Sequence, residues 1–135
     1  APIVKDLGIE TIPTGYILLD GGAGSTVEFI SGTRPLPMHR KDIAVAHALA
    51  GQFLGMKFIY LEAGSGAKEP VPTSLIKAVN NAINIPIIVG GGINSPNLAI
   101  AAVNAGASII VTGTILEDNS DYVKQFANAI HIKSK

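Results

Sequence analysis

Two short stretches decide the fold: Ile87-Ile88-Val89-Gly90-Gly91-Gly92-Ile93 and, sixteen residues after the last of these, Ile109-Ile110-Val111-Thr112-Gly113-Thr114. Each is an apolar, β-branched run that stops on residues too small or too polar to continue it. A run without apolar–polar alternation is what a parallel strand buried on both faces shows. Ser95 followed by Pro96 predicts an N-cap and a first-turn proline, and Gly106 ends the helix they open. Strand, glycine-rich turn, helix and strand therefore follow in order.

The same grammar extends upstream. Tyr16–Leu19 and Phe58–Leu61 read as two further strands, ending on Asp20-Gly21-Gly22 and Glu62-Ala63-Gly64-Ser65-Gly66. Helices are expected over Asp42–Leu54, stopped by Gly55, over about Pro72–Ile83, and after a cap at Asn119 or Ser120. Residues 1–10 read as the tail of a preceding element. The alternation fits an open sheet or a barrel. Small residues at every strand end favour the barrel, because (β/α)₈ proteins work at that face and hold phosphate after their last two strands. The expected architecture is a single domain, residues 1–135, forming the C-terminal half of a (β/α)₈ TIM-type barrel. These would be strands five to eight. The apolar side chains of Ile17, Leu19, Ile59, Val89 and Val111 are expected to face the half that is not here.

Composition narrows the chemistry. Of the 135 residues 47% are hydrophobic and 15% charged, against roughly 25% charged on average, so much of the surface is built to be covered. Ten basic residues balance ten acidic ones, which gives no field for nucleic acid or an anionic membrane. There is no cysteine, hence no disulfide, thiolate metal site or cysteine nucleophile, in keeping with a cytoplasmic location. Lys5, Asp6 and Glu10 interrupt any secretory signal. No charged residue occurs from Ala78 to Leu116, but Pro86, the three glycines, Pro96, Gly106 and Gly113 divide that stretch, so a transmembrane segment is not expected.

The uncharged stretch contains both glycine loops. A phosphate bound there would be held by main-chain N–H groups and by the hydroxyls of Ser95, Thr112 and Thr114, with Ser65 contributing from the second rim. A bulky residue at Gly92 is expected to block the anion and leave the fold intact. Glu62, at the end of a buried strand, needs polar company. It can bind substrate hydroxyls, serve as a base, or form a structural ion pair with the other half. Tyr60 can line the site or pack. His39, His47 and His131 match no metal motif, and Arg34, Arg40 and Lys41 read as a solvated loop.

The string Tyr60-Leu61-Glu62-Ala63-Gly64-Ser65-Gly66-Ala67, with Pro70-Val71-Pro72, Ile88–Ile93 and Ile110–Thr114, resembles the geranylgeranylglyceryl phosphate synthase family, including its bacterial heptaprenylglyceryl phosphate synthase relatives. Pro13–Tyr16, Asp20-Gly21-Gly22 and Leu54–Met56 carry the resemblance over nearly the whole chain. It implies a barrel of about twice this length. It also implies transfer of a prenyl group, geranylgeranyl in the first instance, from its diphosphate to sn-glycerol 1-phosphate, an ether-forming step of archaeal-type phospholipid synthesis.

By the same resemblance Tyr60, Leu61, Glu62, Ala63, Gly64, Ser65 and Gly66 would surround the glycerol phosphate, with Glu62 the catalytic carboxylate on its hydroxyls. Gly91, Gly92, Gly113 and Thr114 would hold the phosphate. The family's Mg²⁺ is bound by an aspartate near the first strand, and nothing in this chain matches it, Asp20 included. The magnesium ligands would thus lie in the N-terminal half, and the chain would work as a homo-oligomer or paired with that half. The alternatives are an isomerase, lyase or aldolase acting on sugar phosphates, for which no strand-end lysine is present, and a non-catalytic half-barrel that only binds phosphate or assembles.

Overall fold

The structure, a computed structural model, describes residues 1–22, 24–113, 115 and 121–131, with the side chain of Asp121 left out. Four parallel strands form one sheet in the order β1-β2-β3-β4: β1 Thr14–Leu18, β2 Phe58–Glu62, β3 Ile87–Gly90 and β4 Ile109–Val111. Sequential neighbours pair throughout, as successive β/α units dictate. Helices α1 Pro2–Asp6, α2 Thr26–Ser31, α3 Lys41–Phe53, α4 Thr73–Asn80, α5 Pro96–Asn104 and α6 Asp121–His131 complete the described elements. All four expected strands are present, each within two residues of its expected ends. The cap expected at Asn119 or Ser120 lies outside the described residues.

Helix α2 was not expected. Its signal is nonetheless in the sequence. Ser25 accepts the Glu28 N–H at 3.1 Å, the first half of a Ser-x-x-Glu capping box, and Gly32 closes the helix in the left-handed conformation. The preceding Gly-Gly-Ala-Gly run reads as loop and conceals it. At Ser95 the expected cap position is right, with extended backbone and Pro96 inside the first turn, but its hydroxyl makes no capping bond.

The core lies on one face only. Ile17, Leu19, Ile59, Leu61, Ile87 and Val89 are buried beneath the helices, together with Ala44, Ala48, Leu75, Ile76, Val79 and Ala99. This corrects the facing expected for Ile17, Leu19, Ile59 and Val89, which pack on the helix layer. The opposite face carries Tyr16, Tyr60, Glu62, Ile88, Ile109 and Val111, aligned by the register pairs Tyr16↔Tyr60↔Ile88↔Ile109 and Leu18↔Glu62↔Gly90↔Val111. Of the five residues expected to lack cover, Val111 alone does, at 40% exposure, joined by Tyr16 at 45% and Ile109 at 42%. Period-two geometry gives the reason: Tyr60 and Glu62 share a face, so Ile59 and Leu61 must take the other.

Candidate functional site

Glu62 ends β2 and is only 8% exposed. Its Oε1 accepts the main-chain N–H of Gly64 at 2.7 Å. The Tyr60 hydroxyl stands beside the same carboxylate over Gly90, near enough for a hydrogen bond to Glu62 to raise its pKa. Gly90, its register partner on β3, makes room for this pair, since a Cβ there would stand 2.5 Å from the Tyr60 hydroxyl and 2.8 Å from Glu62 Oε2. Burial, that hydrogen bond and the carboxylate's charge push the Tyr60 phenol far above the ordinary tyrosine range. Tyr60 is therefore a hydrogen-bond donor and not an acid at working pH. A carboxylate has about four acceptor positions, so two donors leave capacity for a substrate hydroxyl.

Beside Glu62 opens a cavity of about 290 Å³ across the C-terminal ends of β2, β3 and β4, walled by Ser65, Gly66 and Ala67, by Gly91–Asn94, and by Val111, Thr112, Gly113 and Ile115. No lysine or arginine is among these lining residues. Gly91 and Gly92 adopt positive φ, at 82° and 71°. A Cβ on Gly91 would meet Glu62 Oε1 and the Gly64 nitrogen, each at 2.7 Å, and one on Gly92 would meet the Pro70 nitrogen at 2.9 Å. Both glycines are thus required by the backbone itself, whatever binds. A bulky residue at Gly92 would therefore strain the backbone as well as block the anion, against the expectation that it leaves the fold untouched. Gly113 differs: its φ is not in the left-handed region and a Cβ there meets nothing within 4 Å. The Thr112 hydroxyl in the cavity wall is buried and has no hydrogen-bond partner among the described residues, which leaves it able to donate to or accept from a ligand.

Of the residues expected at the site, Glu62, Ser65, Gly66, Gly91, Gly92 and Gly113 come together around this cavity. Tyr60 and Gly64 serve it through Glu62. Leu61 does not line the cavity, its side chain being fully buried against the helices, and Ala63 is buried behind the rim, where its N–H bonds the Gly90 carbonyl at 3.0 Å. Thr114 lies outside the described residues. Ala67, Ile93, Asn94, Val111 and Ile115 were not among the expected site residues; Asn94 stands between the glycine run and the α5 cap, a position that marks it as a rim residue.

The weaker candidates resolve into structure. Asp20 accepts the Gly22 N–H at 3.0 Å in a local turn, and a Cβ on Gly21 would collide with the Ala63 carbonyl oxygen. His47 Nδ1 lies 2.8 Å from the Ile43 carbonyl one helical turn back. The Arg40 guanidinium is held bidentately by Asp42, at 2.9 and 2.7 Å. Among the described residues no group of three or more His, Asp or Glu could hold a metal ion, and no helix is long and apolar enough to cross a membrane.

A sequence model described as the PcrB family matches residues 2–130. The chain is 48% identical over 130 residues to the geranylgeranylglyceryl phosphate synthase of Spirosoma linguale, with 96% of the chain and 52% of that protein covered. To the synthase of the same name from Methanothrix thermoacetophila it is 49% identical over 136 residues, covering 98% and 52%. Among solved structures it is similar to the Thermoplasma acidophilum (S)-3-O-geranylgeranylglyceryl phosphate synthase in complex with its substrate sn-glycerol-1-phosphate. There the TM-score is 0.86 and the identity 35%, over 96% of the chain and 52% of that protein. The chain spans about half the length of the relatives it matches.

Proposed function

The chain belongs to the PcrB family, and from that premise we propose that it supplies the glycerol phosphate half of a prenyltransferase active site. The proposed reaction joins sn-glycerol 1-phosphate to a long prenyl diphosphate, geranylgeranyl diphosphate in the first instance. The glycerol hydroxyl oxygen forms an ether bond to the allylic carbon, the bond from that carbon to the diphosphate breaks, and diphosphate leaves with the electron pair. One observation carries the reading: an oriented carboxylate and an uncharged glycine rim meet in one cavity. The two do different work. A phosphate beside Glu62 would be repelled, so the anion belongs on the main-chain donors of Gly91, Gly92 and Gly113, with Ser65 and Thr112, while the hydroxyl end reaches Glu62. Glu62 accepts the hydrogen bond of the attacking hydroxyl and takes its proton.

The architecture we propose is the C-terminal half of a (β/α)₈ barrel, residues 1–135, completed by a second half that covers Tyr16, Ile109 and Val111 and pairs with the outer edges of β1 and β4. The relatives' greater length and the one-sided core support it. Magnesium, which the resemblance implies, finds no ligand set among the described residues. When bound elsewhere in the barrel it would supply charge stabilisation for the leaving diphosphate.

The test is prenyl transfer from geranylgeranyl diphosphate to labelled sn-glycerol 1-phosphate, measured by extraction of the lipid product, with this chain alone and with a chain extended to the relatives' length. Product from the extended chain supports the reading. An extended, folded chain that binds glycerol phosphate and turns over neither geranylgeranyl nor a longer prenyl diphosphate would refute it.

A further inference from the structure

On the reading of Glu62 as the hydroxyl-binding carboxylate, we propose that Tyr16 is a positioning residue, whose ring holds Tyr60 in the conformation that presents its hydroxyl to Glu62. Nothing in the reaction chemistry requires a tyrosine at the start of the sheet. Its place in the register does. Tyr16 and Tyr60 are directly paired across β1 and β2. Their rings meet edge to face with centroids 5.1 Å apart and planes at 70°, the arrangement aromatic quadrupoles prefer.

Tyr60 is confined on both flanks. On the β3 side its hydroxyl sits over Gly90, where even a methyl group would not fit. On the β1 side the neighbour is the Tyr16 ring. Gly15 and Ile17 alternate to the helix-covered face, so neither can stand in for that ring. Removal of that ring leaves Tyr60 free to rotate over β1, away from Glu62. The carboxylate then keeps the Gly64 N–H on Oε1 and loses the phenolic donor.

The ring matters in this account and the Tyr16 hydroxyl does not. The Tyr16 phenol is pushed above its ordinary value by burial and by the nearby Glu62 charge, so it stays protonated and does not serve as an acid. Glycerol phosphate and inorganic phosphate therefore separate the roles. Both use the glycine rim, and only the former presents a hydroxyl to Glu62.

The experiment compares calorimetric affinities of sn-glycerol 1-phosphate and inorganic phosphate for the full chain and for Tyr16→Ala and Tyr16→Phe, with the Tyr60 hydroxyl proton followed by NMR. Tyr16→Ala is expected to lose about five- to tenfold in glycerol phosphate affinity, keep its inorganic phosphate affinity, and lose the Tyr60 hydroxyl signal to exchange. Tyr16→Phe is expected to restore both. Unchanged selectivity in Tyr16→Ala, an equal loss for both ligands, or a Tyr16→Phe variant as impaired as the alanine would overturn the proposal. A wild-type chain with no preference for glycerol phosphate would instead refute the assignment of Glu62 on which it rests.

Discussion

The Glu62 carboxylate accepts the main-chain N–H of Gly64, two residues along, at 2.7 Å. The loop that follows β2 thus orients the group that ends β2, before any ligand arrives. Gly64 has φ of 101°, a conformation that favours glycine, and it is what turns the N–H back onto the side chain. Glu62→Gln preserves shape and removes the basic oxygen pair. In a chain of the relatives' length its prenyl transfer rate should fall by about 10²–10⁴-fold, with little change in melting temperature. Steady-state kinetics beside thermal unfolding checks both.

Gly113 and Gly92 should respond oppositely to the same substitution. Gly113→Val enters open space and should leave stability near wild type while blocking the anion, lowering phosphate affinity at least tenfold. Gly92→Val forces a β-branched residue to φ near 71° against the Pro70 backbone. It should cost about 2–4 kcal/mol of stability. Denaturant unfolding and phosphate calorimetry on the two variants give the comparison.

Ser25→Ala removes the side-chain acceptor of the Glu28 N–H. Helix α2 buries none of its residues, and Phe29 is 89% exposed, so packing contributes little and the cap matters more. A loss of about 1 kcal/mol is expected, confined to α2. Hydrogen exchange should quicken at the α2 amides and stay unchanged in β2 and β3.

The Arg40–Asp42 pair should be visible as a titration. The hydrogen bond from Arg40 brings the Asp42 carboxyl down to about 2 from an ordinary 3.8. A carboxylate depressed in the folded state stabilises above its unfolded value and loses that contribution as pH falls through its folded value, here between about pH 4 and pH 2. Both partners are exposed, so the effect on stability is small and salt-sensitive. NMR titration of Asp42 should give a midpoint near 2, rising toward 3.8 in Arg40→Ala.

The strands were legible because a parallel sheet demands uninterrupted apolar runs, and the glycine rims because each strand had to stop. What those runs concealed was facing. Ile17 and Ile59 carry no polar neighbour pattern to say which side is in, and only Glu62 fixes the phase: counting back by two from it yields Tyr60, and across the register Tyr16. Helix α2 was hidden because its exposed Val27, Phe29 and Ile30 make no core-facing stripe, although Ser25 and Glu28 announced its start. At the site, Gly91, Gly92 and Gly113 look alike as letters. Only coordinates distinguish the two that the backbone needs from the one that leaves space.

In the proposed site, main-chain donors at the strand ends hold a phosphate while Glu62 takes the hydroxyl end. Amide NMR of the chain titrated with sn-glycerol 1-phosphate tests it most directly. The largest shifts are expected at Ser65, Gly91, Gly92 and Gly113, with the Gly64 amide moving for glycerol phosphate and hardly for inorganic phosphate. Shifts concentrated at Arg34, Arg40 and Lys41, with those glycine amides unmoved, would contradict it.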